Sequence, residues 1–245
     1  LRDKVLELVG EGQMQAILIQ GVGEQPALAQ QQGFLRVSNL MIKAAGKAAV
    51  EVAGGSMVLE DCYVSGADSG VAVTGGGEVA MRRSVLSRCR KHGVHISGGG
   101  RATLESCSMF ENGSHGVVAL HQSSSLHLTR CMVSNNQGAA VGVDLGGEGV
   151  VEDNDLRNNK QGACLVGASS TDLVRIGSNL TSQLRVDRSM AGSRLRVVGS
   201  LPGFEASFES IDWSLCAHAG LWPGVRAHVA VGSTEVYATT RHVNP

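Results

Sequence analysis

The run MVLEDCYVSGADSGVAVTGGGE, residues 57–78, is followed at once by VAMRRSVLSRCRKHGVHISGGG, residues 79–100. Each is 22 residues long and each carries a glycine cluster near its end. Laid one over the other, Leu59 meets Met81, Cys62 meets Ser84 and Val64 meets Leu86. With one residue inserted, Val71 and Val73 meet Val94 and Ile96. The same pattern continues on both sides. RVSNLMIKAAGKAAVEVAGGS precedes the two runs. RATLESCSMFENGSHGVVALHQSSS, LHLTRCMVSNNQGAAVGVDLGGE and GVVEDNDLRNNKQGACLVGASST follow them.

The register holds residue by residue. Leu40, Cys62, Ser84, Cys107, Cys131 and Asn154 form one column, with spacings of 22, 22, 23, 24 and 23. Three residues earlier stand Val37, Leu59, Met81, Leu104, Leu128 and Val151. Two residues later stand Ile42, Val64, Leu86, Met109, Val133 and Leu156. A second strand carries Val50, Val71, Val94, Val117, Val141 and Cys164, then Val52, Val73, Ile96, Ala119, Val143 and Val166. Alternation within each run has the period of a β-strand with one face inward. The repeat is shorter than the common helical repeats and propeller blades. It fits a coil of two strands and a glycine corner, stacked at about 4.8 Å per coil. The fold class expected is all-β: a right-handed, single-stranded parallel β-helix with capped ends, its hand set by the general rule for parallel crossovers.

Composition agrees with a narrow bore. Aromatic residues are 3% of the chain and glycines number 33. A core of Val, Leu, Ile, Ala and Met suits stacked coils, in which each inward residue meets its equivalent above and below. The glycines at 54–55, 75–77, 98–100 and 146–147 fall at one corner, where positive φ is needed. Outward columns are Glu60, Arg82, Glu105, Thr129, Glu152 and Asp61, Arg83, Ser106, Arg130, Asp153. Asn112, Asn136 and Asn159 are read as a third, a turn column able to hydrogen-bond along the axis.

Three segments are expected. Residues 1–36 hold an N-terminal cap and first coil, with LRDKVLEL a short amphipathic helix and AILIQGVG a strand. Residues 37–180 are regular coils of 22–24 residues. Residues 181–245 are irregular β coils or a cap, enriched in Phe204, Phe208, Trp213 and Trp222.

Charge is balanced, 21 Lys+Arg against 22 Asp+Glu, which argues against nucleic acid as a partner. No apolar run is long enough for a membrane-spanning helix. The six cysteines form no C-x-x-C pair, and Cys62, Cys107 and Cys131 fall in a core column. Buried free thiols are therefore expected, and with them a reducing, intracellular compartment. The opening LRDKVLELVGEG lacks the core of a secretory signal and a starting Met, so a piece of a larger protein is expected.

The stretch KHGVHISGGG, residues 91–100, resembles the Gly-His-Gly segment of polygalacturonases, with Lys91 in place of the first glycine. That resemblance implies sugar hydrolysis, which needs two facing carboxyl groups. The aspartate segments of that family are missing, and Arg175-Ile176-Gly177 lacks its lysine. Pectate-lyase chemistry needs a calcium cluster, which the mixed signs of the Asp61 column defeat. The Asp-Pro-His-Glu segment of the uronate epimerases is also missing. His92 and His115 occupy one column with Ala48, Ser69, Ala139 and Gly162, so the His-Gly pair is a recurrent corner rather than a lone motif.

The whole repeat, over about residues 34–171, resembles the short parallel β-helix repeats of several groups. These include carbohydrate-binding and sugar-hydrolysing domains, the substrate-recognition regions of certain F-box proteins, and a cytokinesis-associated protein that binds an adaptor's SH2 domain. The resemblance implies a scaffold that hosts unrelated tasks. The function expected is a non-catalytic scaffold with a protein partner and no cofactor. Its contact surface is a basic strip of Arg82, Arg83, Arg88, Lys91, His92 and His115. The alternatives are a polyuronide-active enzyme built on His92, His115, Asp153 and Asp155, and a carbohydrate-binding module.

Overall fold

The structure is a computed structural model. It describes residues 5–13, 17–167, 170, 174–177 and 179, and the backbone of four later strands. The first coil holds β1 (Val5–Val9), β2 (Leu18–Gln20) and β3 (Leu28–Gln30). The next holds β4 (Phe34–Ser38), β5 (Met41–Lys43) and β6 (Ala48–Val52), and the next β7 (Ser56–Glu60), β8 (Tyr63–Ser65) and β9 (Ser69–Val73). Then come β10 (Glu78–Arg82), β11 (Val85–Ser87) and β12 (His92–Ile96), followed by β13 (Arg101–Glu105), β14 (Ser108–Phe110) and β15 (Val117–Leu120). Next are β16 (Ser125–Thr129), β17 (Met132–Ser134) and β18 (Val141–Asp144), then β19 (Glu148–Glu152) and β20 (Cys164–Val166). The later strands are β21 (Val174–Gly177), β22 (Arg185–Asp187), β23 (Arg196–Val197), β24 (Ala227–Val231) and β25 (Thr234–Ala238).

Each full coil therefore has three strands, not two, and they build three parallel sheets. Sheet A runs β1-β4-β7-β10-β13-β16-β19-β21-β23, and sheet B runs β17-β14-β11-β8-β5-β2. Sheet C runs from β3 through β6, β9, β12, β15, β18, β20, β22 and β24 to β25. What reads in the sequence as one strand, Val37 through Ile42, is the end of β4, a corner and the start of β5. Val37 and Leu40 are three residues apart and both face inward. An odd spacing cannot stay on one face of a strand, so the backbone must turn between them. It turns at a left-handed residue in each coil from β4 onward: Asn39, Asp61, Arg83, Ser106, Arg130 and Asp153, with φ from 47° to 56°. A second such column, Arg88, Glu111, Asn135 and Asn158, turns sheet B into sheet C. The third corner is the glycine one, with positive φ at Gly55, Gly75, Gly76, Gly98, Gly99 and Gly146.

The coils stack in register. Leu8, Val37, Leu59, Met81, Leu104, Leu128, Val151 and Ile176 are successive partners in sheet A. The valine columns of sheet C pair likewise. From Val37 to Val151 the sheet A column is fully buried. Each such side chain contributes about 1.5–3 kcal/mol on leaving water.

Between the apolar columns lie buried polar ones. The main-chain N–H of Cys89 donates to Asn112 Oδ1, that of Asn112 to Asn136 Oδ1 and that of Asn136 to Asn159 Oδ1, each at 3.1 Å. The amide nitrogens of Asn112 and Asn136 donate to the next Oδ1 at 2.9 Å. At the other corner Cys62 N–H donates to Ser84 Oγ, Cys107 N–H to Cys131 Sγ, and Cys131 N–H to Asn154 Oδ1. The Asn112 column is thus buried, not outward as its place in a turn suggests. The left-handed residue before each asparagine turns its side chain inward, where it meets corner N–H groups that no sheet ladder serves.

At the N-terminal end, Val5–Val9 is a strand and not part of a helix. Leu6 and Leu8 extend the columns of Leu35 and Val37, and Glu7 faces Arg36. Residues 1–4 lie outside the described ones. After Val166 the spacing becomes irregular, yet β22 and β24 still add to sheet C in parallel, and β25 closes it antiparallel. The FEASFESIDWSL stretch, with Phe204, Phe208 and Trp213, and also Trp222, lies outside the described residues.

Asn136→Leu keeps the branched outline of the side chain but strands the Asn112 main-chain N–H, the Asn112 amide nitrogen and the Met109 carbonyl. Urea unfolding of this variant is expected to show a loss of about 2–4 kcal/mol.

Candidate functional site

The predicted basic residues do not form one strip along the axis. Arg82 ends β10 on sheet A, with Glu60 on one side and Glu105 on the other, both at 3.3 Å. Arg83 is the left-handed corner residue and grips Asp61 with two bonds, 2.9 and 2.8 Å. Arg88 occupies the next corner and pairs with Glu111 at 2.9 Å. Lys91 reaches Asp68 at 3.0 Å, and Arg90 shares that carboxylate at 2.7 Å. His92 and His115 lie where sheet C begins, ring on ring. The four predicted cations thus wrap around one coil, and each has a carboxylate partner on a neighbouring coil.

These pairs set the titration of the surface. The hydrogen bond from Arg36 holds Glu60 below the usual carboxylate range, and that from Arg83 does so for Asp61. Lys91 first and Arg90 second depress Asp68, and Arg130 first and Arg82 second depress Glu105. The carboxylates follow the cations at one coil's spacing, so the ladder closes on itself rather than offering free charge.

The alternative catalytic set is not brought together. Asp153 is a corner residue between sheets A and B, and Asp155 bridges to Met132 at the edge of sheet B. Asp155 is held by Arg157 through two bonds, 2.8 and 2.7 Å, which hold its carboxyl below the usual carboxylate range. His92 and His115 stand beyond the next corner, at sheet C. Among the described residues no three His, Cys, Asp or Glu side chains converge on a point where a metal ion fits. Cys62, Cys89, Cys107, Cys131 and Cys164 are free and buried. Burial pushes the Cys89 and Cys164 thiols up to about 12. Cys216 lies outside the described residues.

Sequence reasoning missed a different surface, the outer face of sheet B. Ile42, Val64, Leu86, Met109 and Val133 point inward and are fully buried. The residues just before them point outward: Met41, Tyr63, Val85, Ser108 and Met132 stack in register. Phe110 joins them from the next outward position on β14. Tyr63 reaches diagonally across the sheet, its hydroxyl 2.6 Å from Ser87 Oγ on the next coil. Met132 is 44% exposed, one of few large apolar side chains so placed among the described residues. Ion pairs border this stripe: Arg83 with Asp61 and Arg130 with Glu105 at one corner, Arg88 with Glu111 at the other. An apolar centre containing Tyr, Phe and Met inside a charged rim is the usual anatomy of a protein contact. The signal was in the sequence, one position after the Cys62 column. It becomes visible only once the corner is recognised, because the corner resets which residues face out.

Sheet A presents another relief, a shallow depression of about 360 Å³ over Phe34, Val58, Ala80 and Thr103, with Glu78 and Arg101 at its side. Those two side chains pair at 2.9 Å.

Residues 26–179 match the family described as the right handed beta helix region. The match covers most of the chain, so the protein belongs to the right-handed β-helix family. No curated protein and no solved structure matches the chain.

Removing the Tyr63 hydroxyl is expected to leave the fold intact but weaken it. Tyr63→Phe should lower the urea-unfolding free energy by about 0.5–1.5 kcal/mol.

Proposed function

We propose that the chain is a non-catalytic β-helix scaffold that binds a protein partner through the outer face of sheet B. One observation carries this reading: the stripe of Met41, Tyr63, Val85, Phe110 and Met132, bordered by closed ion pairs. The stacked coils hold those side chains at fixed spacing on rigid strands, so little conformational freedom is lost on contact. Arg83 and Arg88, two residues of the predicted basic strip, stand on opposite borders of the stripe. In this reading they orient the partner and exclude wrong ones rather than supply most of the affinity. Outward carboxylates engaged by arginines make poor general acids, which speaks for binding over turnover. Buried free thiols suit a reducing compartment.

Affinity capture from the source cell, with cross-linking, compares wild type with a Phe110→Ser/Met132→Ser variant and an Arg82→Glu/Arg83→Glu variant. A partner held by wild type is expected to be lost by at least tenfold in the first variant. The second should weaken it less and change its salt dependence. Turnover of polygalacturonate or alginate by the purified chain, abolished in His92→Ala, would contradict the proposal.

A further inference from the structure

The histidines of the start of sheet C have no part in the sheet B surface. His92 begins β12, and His115 stands directly over it one coil on. Their rings are parallel within 4° with centroids 5.6 Å apart. His95, the next outward residue of β12, lies 5.6 Å from His92. His115 is also part of the inter-coil bonding: its Nδ1 accepts the main-chain N–H of Ala139 at 2.9 Å. That nitrogen must therefore be unprotonated, with the ring proton on Nε2. Elsewhere at the corners the accepting side chains are Asn, Ser and Cys. None of those loses its acceptor role in mild acid; an imidazole does. His92 Nδ1 is buried and has no hydrogen-bond partner.

The charged groups around the stack offer no compensation. On its own strand side His92 has Lys91 and His95. In the coil before, Asp68 faces this corner but is engaged by Lys91 and Arg90. In the coil after, His115 faces His92 and His121 faces His95. Among the described residues no carboxylate pairs with His92, His95 or His115. Burial is the first cause holding all three imidazoles below their ordinary range, and His92 falls to about 4.

We propose that the His92–His115 stack is an acid-sensitive latch between coils: a proton on His115 Nδ1 turns the acceptor of the Ala139 N–H into a donor and opens sheet C at that edge. The same proton on His92 points a new N–H into a buried space without an acceptor. Two cations then face each other at stacking distance.

The direction with pH follows from where protons bind. Unfolded histidines take a proton near pH 6.5. Folded His92 takes one only near 4. Between these values the unfolded chain binds more protons. Stability is complete above about pH 6.5 and falls as pH drops towards 4. The depressed carboxylates act lower, their contribution present above about pH 4.5 and lost beneath it. The window from about 6.5 to 5 therefore belongs to the histidines.

Nuclear magnetic resonance tests the latch on wild type and on a His92→Ser/His115→Asn variant. Serine is the residue of that column at Ser69, and asparagine keeps an acceptor for Ala139. From pH 7 to 5 the wild-type Ala139 amide should lose exchange protection roughly tenfold, while the variant holds it. Undiminished protection in wild type, or an equal loss in the variant, would overturn the proposal. If the variant does not fold, the wild-type imidazole titrations decide. Depressed titration of His92 and His115 that runs with the loss at Ala139 supports the latch. Titration near pH 6.5 with Ala139 still protected refutes it.

Discussion

The corner hydrogen bonds, in which a buried side chain of one coil accepts the main-chain N–H of the coil before it, are what the rest of this structure depends on. The three sheets bond coil to coil along their strands. At the two corners that flank sheet B, amides such as those of Cys89 and Cys131 leave those ladders and point into a core with no water. An unpaired amide there costs about 1–3 kcal/mol. Asn112, Asn136 and Asn159 serve one corner, and Ser84, Cys131, Asn154 and Asn179 serve the other. Because each accepts from the coil before it, a shift of one coil by one residue would break both ladders at once. Register is thereby specified by polar contacts, while the apolar columns supply most of the stabilisation.

The same geometry accounts for the surface. A residue in a left-handed corner conformation is strained by roughly 1–2 kcal/mol unless it is glycine. At these corners charged and polar residues occupy that conformation: Asp61, Arg83, Arg88, Glu111 and Arg130. Their side chains project outward at one coil's spacing, where opposite charges meet. Exposed pairs of this kind add little stability each. Their consequence is a set of matched charge pairs along both borders of a sheet B face that keeps an apolar stripe.

The stacking of residues some two dozen positions apart was legible in the sequence from Leu59, Met81 and Leu104 alone, since inward columns repeat with strand alternation. The buried state of Cys62, Cys107 and Cys131 followed from their column. The third strand was not legible by the same reasoning. Val37 and Ile42 both face inward at an odd separation of five, so a single strand was the wrong reading. Only a backbone reversal at Asn39 reconciles them. Missing the corner also hid Met41, Tyr63, Val85 and Met132, which look like the polar side of a longer strand until that strand is divided. The basic residues were visible as a cluster, but sequence proximity says nothing of the partner 22 or 23 residues away that neutralises each. The β1 segment read as a helix because LRDKVLEL suits either period. Pairing with β4 decides it.

Hydrogen exchange at neutral pH on the corner amides of Cys89, Asn112, Asn136 and Cys131 probes the inter-coil ladders most directly. These amides lie outside the strands, and in an ordinary turn they would exchange within seconds to minutes. If side chains of the following coil hold them, they should be protected to the same degree as the Val94 and Leu104 amides within the strands. Exchange at the rate of an open loop, with the strand amides still protected, would contradict the ladders and the register they impose.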